Sequence, residues 1–366
     1  MFSIGIDARL TYYRGGGIST YIRRLIEALE HLDQENAYTV LYSRKDRARI
    51  GQRFAAAKLW TPAHHRIERL ALSIELLPLR LDLLHSPDFI PPYRGARRHV
   101  ITVHDLTFLH YPDYLTADSR RYYNDQIRAA CQHADAILAV SETTRSDLIT
   151  MLDIPAGKIS VQPHGVLPTY RPLSPEEYLP VLKRINAPAG AILHVGTWEP
   201  RKNIDGLLRG YKILLERLPD APPVLLVGRP GWLFSDVQQR IDALNLGDRI
   251  LWRSDVEDDQ LPAVYAASRL LVSPSFYEGF GMPALEAMAC GCVPIVSNRS
   301  SLPEVVDEVG ALITPEDPES IAAALERGLG DQTWWQEQRQ AGLLRARSYT
   351  WERSAQIALE TYTSVL

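Results

Sequence analysis

At 366 residues the chain is too long for one ordinary core, so two domains are expected. Apolar residues make up 46% and charged residues 23%, which excludes a disordered chain. A formal net charge of −4 gives no electrostatic case for nucleic acid as the partner, and three cysteines imply no disulfide framework and fit a reducing compartment. The charge is uneven. Basic side chains slightly outnumber acidic ones up to residue 180, the reverse holds after it, and nearly all histidines lie in the first half. Residues 44–49 and 94–99 are basic stretches. They read either as solvated loops or as contacts to anionic lipid or an anionic acceptor.

The opening "MFSIGIDARL" is a strand signal, with no charged segment leading into a long apolar run, so no signal peptide is expected. No stretch reaches the ~18 apolar residues of a membrane span. A cytoplasmic location follows, with peripheral contact at the inner membrane face left open. "FSIGID", "YTVLYS", "LLHSP", "HVITVHD" and "AILAVS" read as strands. Ile18, Ile22, Leu25, Leu29 and Leu32 recur at helical spacing between the first two. Strands alternating with helices predict a parallel sheet covered on both faces. Near "PHGV" (Pro163–Val166) the pattern breaks, and the proline-rich "LPTYRPLSPEEYLP" has the character of a linker. A second series follows: "AILHVG", "PVLLVG", "RILWRS", "RLLVSP" and "VPIVSN". The expected architecture is α/β, with two tandem Rossmann-like, doubly wound domains facing across a cleft. They are placed at 1–170 and 189–348, joined by a linker at 171–188. A last helix over 349–366 is expected to cross back to the first domain. In open parallel sheets ligands bind beyond the carboxyl ends of the strands, so residues that follow strands are the candidates.

Following the first strand, "RGGGIST" (Arg14–Thr20) leads into a helix; glycines there allow close backbone approach, and the helix start offers free N–H groups. It matches neither Gly-x-Gly-x-x-Gly nor a P-loop, and a flexible turn explains it equally well. His104-Asp105 ends the strand "HVITV"; a histidine there can donate to a sugar or carbonyl oxygen, or serve structure alone. Ser141-Glu142 is a weaker case that could equally cap a helix. After "AILHVG", Arg201 and Lys202 stand beside a helix start that Asn203 can cap, an arrangement suited to a pyrophosphate. "EGFGMPALEAMACGC" (Glu278–Cys292) sets Glu278 in a loop and Glu286 inside a helix from Pro283 to Cys290. Two carboxylates so placed are not stacked on one helix face. They can accept hydrogen bonds from different parts of one ligand, such as a ribose and a hexose. Cys290-Gly-Cys292 lacks a second ligand pair for metal, and buried small residues are the simpler account.

The order of "GGGIS", "HD", "VSE", "PHGV", "GTWEPRKN", "LVG", "YAAS", "SFYEGFGMPALEAMACGCVPIVSN" and "LPEVV" resembles that of retaining, nucleotide-sugar-dependent glycosyltransferases of the GT-B fold, family 4. The likeness covers nearly the whole chain. "PHGV" departs from the commoner Pro-Asn-Gly-Val. The resemblance implies an acceptor-side first domain and a nucleotide-sugar-binding second domain. It implies that Arg201 and Lys202 hold the donor diphosphate, with Gly16 and Gly17 closing over it. Phe280, Gly281 and Met282 would bind diphosphate and sugar through the backbone. Glu286 would bond the ribose, Glu278 the sugar's O3 and His104 its O6 side, while Val256 would line the base pocket. No metal or other cofactor is implied.

The expected reaction is transfer of a hexose, mannose by preference and GDP-mannose as its donor, to a hydroxyl of a saccharide or lipid-linked acceptor with retained configuration. Surface polysaccharide assembly is the expected setting. Arg201→Ala with Lys202→Ala is expected to weaken diphosphate binding and leave the fold intact. A non-catalytic nucleotide-sugar-binding protein and a sugar phosphorylase of similar architecture remain as alternatives; a Rossmann dehydrogenase is disfavoured by the missing glycine fingerprint.

Overall fold

The computed structural model describes the chain except residues 14–15, 66, 115–116 and 230–233; side chains are also undescribed at 114, 117–122, 125 and 234–236. Two compact units emerge: residues 1–165 with 349–366, and residues 166–348.

The first unit is built on seven parallel strands: β1 (Ser3–Asp7), β2 (Ala37–Ser43), β3 (Ala55–Leu59), β4 (Leu81–Ser86), β5 (Ala96–Val103), β6 (Ala136–Ala139) and β7 (Ile159–Val161). Their order is β3-β2-β1-β4-β5-β6-β7, with Ile6 in register with Val40 on one side and His85 on the other. Ile4, Ile6, Leu83, Leu84, Val100 and Ile101 are fully enclosed, as strands covered on both faces require. β3 and β7 escape the pattern of apolar runs. β3 is "AAAKL", poor in β-formers and largely exposed, and β7 has only three residues. Both are edge strands.

Helix Gly17–Leu32 buries Ile22, Leu25 and Leu29 against this sheet, but Leu32, counted in the stripe, is exposed at the last turn. Tyr21 is buried on the same helix, and its hydroxyl meets Thr102 Oγ1 at 2.9 Å and Gln162 Oε1 at 2.7 Å. The C-terminal helix Trp351–Val365 packs beside it and belongs to this unit. Two buried polar contacts fasten it: Gln162 Nε2 donates to the Ser354 carbonyl at 2.9 Å, and Tyr362 Oη meets His85 Nδ1 at 2.7 Å.

The second unit holds six parallel strands: β8 (Ile192–Val195), β9 (Val224–Val227), β10 (Ile250–Arg253), β11 (Leu270–Ser273), β12 (Val293–Ser297) and β13 (Ala311–Ile313). They run in the order β10-β9-β8-β11-β12-β13. Ile192, Leu207, Tyr211, Leu226, Val272 and Ile295 are among its core residues. The proline-rich stretch expected to be irregular carries a helix, Pro175–Arg184. Pro175 suits its first turn, Glu177 accepts from the Ser174 amide at 2.9 Å, and Leu182 is buried.

Each sheet starts in the middle and reverses direction once, between β1 and β4 in the first and between β8 and β11 in the second. Such reversals open a crevice at the carboxyl ends of the two strands. The β8–β11 ladder stops after Leu193 and Leu271, and the buried His194 reaches across beyond it, its Nδ1 donating to the Val272 carbonyl at 2.9 Å.

Candidate active site

The segments that follow β8 and β11 meet at this reversal. Pro200–Lys202 forms one tight turn, after which Asn203 adopts a left-handed conformation (φ 53°) and caps helix Ile204–Arg217 by accepting from the Gly206 amide at 3.1 Å. Its amide nitrogen donates to the carbonyls of Pro274 (3.1 Å) and Pro315 (2.6 Å). The Phe276 amide donates to the Arg201 carbonyl at 2.8 Å. The two loops are thus sewn together through their backbones, and their side chains converge.

Glu278 is the centre of that convergence. Its Oε1 accepts from Lys202 Nζ at 2.6 Å and from Ser275 Oγ at 2.7 Å; its Oε2 accepts from Arg201 Nη1 at 2.8 Å. Arg201 also donates to the Tyr277 carbonyl (3.1 Å) and to Glu199 Oε2 (2.8 Å). The Lys202 side chain lies over Gly196, where an added Cβ would stand 3.3 Å from Cε and the backbone is at φ 150°. The backbone of Glu278 is held as firmly: its amide donates to Ser300 Oγ (2.9 Å), and Ser301 Oγ donates to the carbonyls of Glu278 and Phe280, both at 2.8 Å.

Burial is the largest influence on Glu278 and would raise its pKa, but Lys202, Arg201 and the hydrogen bonds from Lys202 and Ser275 together hold it at about 2. It is an anion at any ordinary pH. Burial lowers the Lys202 pKa against the pull of Glu278. This geometry revises the expectation that removing both cations would leave the fold intact, because Glu278 would be left buried without a counter-charge.

Glu286 sits apart from this ion cluster. Helix Met282–Cys290 begins after Gly281, whose φ of 103° and closeness to Leu302 (2.7 Å from an added Cβ) leave room only for glycine, and ends at Gly291. Glu286 lies on its second turn, where Tyr265 Oη donates to Oε2 at 2.8 Å. Burial raises its pKa to about 7 against the hydrogen bonds from Tyr265 and Tyr170, and Asp258 adds to the rise. Asp258 belongs to the loop that carries the half-buried Val256. Phe280 is buried and Met282 half-buried at the start of this helix.

Gly16, Gly17 and His104 belong to the first unit. Gly16 and Gly17 are exposed at the start of helix Gly17–Leu32; their neighbours Arg14 and Gly15 lie outside the described residues. His104 Nε2 donates to the Pro87 carbonyl at 2.8 Å, and its ring stands edge-on to Tyr21. Burial lowers its pKa, which keeps the ring neutral near pH 7. At the reversal between β1 and β4 a shallow recess is lined by Arg9, His64, Glu68 and Asp88, among others. Ser141 is a helix cap, its Oγ accepting from the Thr144 amide. Cys131, Cys290 and Cys292 are free and buried.

The motif therefore holds two kinds of carboxyl group, one permanently ionised and one poised near neutrality. Sequence reasoning passed over the side chains that create the difference. Ser275 stands inside the quoted "SFYEGFG" segment and Tyr265 inside "YAAS", but neither was given a role. Tyr170 and the Ser300-Ser301 pair carried no signal of their own.

Comparisons with known proteins identify the family. Residues 15–169 match the Glycosyltransferase Family 4 domain and residues 183–342 the Glycosyl transferases group 1 domain. The chain is a glycosyltransferase of the GT-B fold. It belongs to family 4, group 1. O-antigen chain mannosyltransferase B of Escherichia coli is 37% identical over 281 residues, covering 76% of this chain and 74% of that one. The serotype-specific mannosyltransferase WbdA of Escherichia coli is 30% identical over 77% of this chain, which spans only 36% of that longer protein. Among solved structures, sucrose-phosphate synthase from Thermosynechococcus elongatus superposes with a TM-score of 0.79 at 22% identity, covering 100% of this chain and 99% of that one. Anabaena HepE in complex with UDP and glucose gives 0.77 at 18% identity over the whole of both chains. These structures share the fold.

Proposed function

We propose that the protein transfers a hexose, with mannose favoured, from a nucleotide-diphosphate sugar to a hydroxyl of a saccharide or lipid-linked acceptor, with retention and without a metal. One observation carries the donor side of this reading: two cations, Arg201 and Lys202, converge on the buried Glu278 at the strand reversal. A diphosphate entering there finds two cationic side chains already positioned, and they stabilise the charge that develops as the sugar's C1–O bond to phosphate breaks. The acceptor hydroxyl attacks C1 on the same face, and its proton passes to the leaving phosphate. Glu278, kept ionised, accepts hydrogen bonds from the sugar's O3 side, and Glu286 faces the ribose, with Val256 beside the base. The backbone of Phe280, Gly281 and Met282 contacts diphosphate and sugar. Gly16 and Gly17 are assigned to the diphosphate and His104 to the sugar's O6 side. The first unit is assigned to the acceptor. The preference for mannose rests on the names of the relatives; GDP as its carrier is taken over from the family resemblance.

The test is incubation with GDP-mannose and a saccharide acceptor, following released GDP and the anomeric configuration of the product. Release of GDP with an α-mannoside formed from the α-linked donor supports the proposal; tight binding with no product, or an inverted product, would sink it. Arg201→Ala tests the donor site while leaving Lys202 on Glu278. Loss of one charge-assisted bond at about 1.5–3 kcal/mol predicts roughly 10- to 100-fold weaker GDP binding by calorimetry. Unchanged affinity would remove the cations from the diphosphate site.

A further inference from the structure

Six large apolar side chains that the first unit leaves in water fall together. Trp60, Ile67, Leu70, Ile74, Leu77 and Tyr93 are each more than half exposed. Ile67, Leu70, Ile74 and Leu77 recur every three or four residues along helix Glu68–Glu75 and its ends, so they form one stripe. The opposite side of that helix, with Leu72 and Leu76, is buried in a core cluster. The aromatic residues join the stripe from two sides. The Glu75 carboxylate accepts from the amides of Trp60 and Thr61. On the other side the Tyr93 amide donates to the Arg69 carbonyl at 3.3 Å, and the Arg94 amide to Ser73 Oγ at 3.0 Å. Exposed apolar residues on a soluble protein are normally scattered, and a contiguous group marks an interaction surface.

The charge of this surface selects its partner. The Arg44 guanidinium lies 4.2 Å from the Trp60 ring centroid, and Arg69 lies 4.2 Å from that of Tyr93. Arg94 is exposed beside them. The acids of the helix are turned to internal duties: Glu68 is buried on Arg9, and Glu75 is engaged by the two amides. The face therefore offers aliphatic side chains in the middle, with tryptophan, tyrosine and stacked arginines at its margins. Aliphatic groups suit the acyl boundary of a bilayer, aromatic rings the headgroup level, and guanidinium groups the lipid phosphates. We propose that this face docks the protein on an anionic phospholipid bilayer. The proposal deepens the lipid-linked branch of the acceptor reading, since a docked enzyme meets acceptors confined to that surface.

Flotation of the full-length protein with vesicles of phosphatidylcholine, alone or doped with phosphatidylglycerol, tests it. The protein should float with the doped vesicles and stay behind with the undoped ones. Leu70→Ser with Ile74→Ser, both exposed, should reduce binding about tenfold or more, as should Arg44→Glu with Arg94→Glu. The serine pair should leave the melting temperature and transfer to a water-soluble saccharide unchanged. No flotation with either vesicle, or binding that both variants retain in full, overturns the proposal. A lipid-free dimer of the wild type that the serine pair abolishes also overturns it, by assigning the face to a second copy. Vesicle binding without transfer to any acceptor would leave the docking face standing and remove the proposed reaction instead.

Discussion

The two units place different arrangements of charge at equivalent points of their sheets. Just beyond β1, Arg9 is enclosed between Asp7 and Glu68, each at 2.6 Å, and also donates to the Thr61 carbonyl at 2.8 Å. Just beyond β8, Arg201 and Lys202 flank Glu278. The first is a single cation saturated by two acids and a carbonyl, almost wholly removed from solvent at 1% exposure. The second is a buried acid shared by two cations, one of which, Arg201, also pairs with Glu199 at 2.8 Å and is still partly exposed at 19%. Buried ion clusters contribute little net stability, because desolvation offsets the attraction. Their geometry decides what they are for. Arg9 has its partners on every side and fastens the loops after β1. Arg201, held between Glu278 and the partly exposed Glu199, still has a solvent-facing side that a ligand anion can reach while Lys202 stays on Glu278.

Breaking either cluster should show the difference. Arg9→Ala leaves Asp7 and Glu68 buried without a counter-charge, and Glu278→Ala leaves Lys202 in the same state, so each should cost about 3–5 kcal/mol in denaturant unfolding. The functional consequences should diverge. The folded fraction of Arg9→Ala should bind nucleoside diphosphate as the wild type does. Glu278→Ala should keep diphosphate affinity, since the cations remain, and lose transfer. Equal loss of diphosphate binding in both variants would mean that the first cluster is not a structural fastening.

A smaller effect separates the two carboxylates of the motif by pH. Glu278 is held at about 2, below its ordinary 4.5, so its stabilising contribution is present above pH 4.5 and is lost as pH falls toward 2. Glu286 is raised from 4.5 to about 7, so its contribution is present below pH 4.5 and is lost as pH rises through 7. Glu286→Gln should therefore flatten the fall in melting temperature between about pH 5 and 7, and gain roughly 1–3 kcal/mol over the wild type above that range. A melting curve parallel to the wild type's across that range would show that Glu286 does not titrate there.

What could be read from the chain follows the same divide between centre and margin. Central strands of both sheets are runs of valine, isoleucine and leucine, and those runs locate them. β3, β7 and β13 do not stand out, because an edge strand covered on one side can be short or built of alanine and lysine. The site divides likewise. Arg201, Lys202, Glu278 and Glu286 stand in loops and helix starts whose proline and glycine content announces them. Tyr265 and Ser275 look like core and loop filler, and only folding brings Tyr265 to Glu286 across 21 positions. Nothing in the spacing of Glu278 and Glu286 distinguished a locked anion from a titrating acid. Their neighbours make that difference, and neighbours in space are not neighbours in sequence.

Tyr265→Phe isolates that contribution most finely. The phenol donates to Glu286 at 2.8 Å, a bond that favours the ionised carboxylate and partly opposes the rise caused by burial. Without it the Glu286 pKa should move further above 7. The global stability change should be small, about 1 kcal/mol, because one hydrogen bond is lost and no large cavity is made. If the ionised form binds the ribose, nucleotide affinity should fall at neutral pH and recover at about pH 8–9, moving the midpoint of the calorimetric pH profile upward. Tyr170→Phe should move it in the same direction. A midpoint that stays fixed in both variants would show that the tyrosines fill space around Glu286 and do not set its charge.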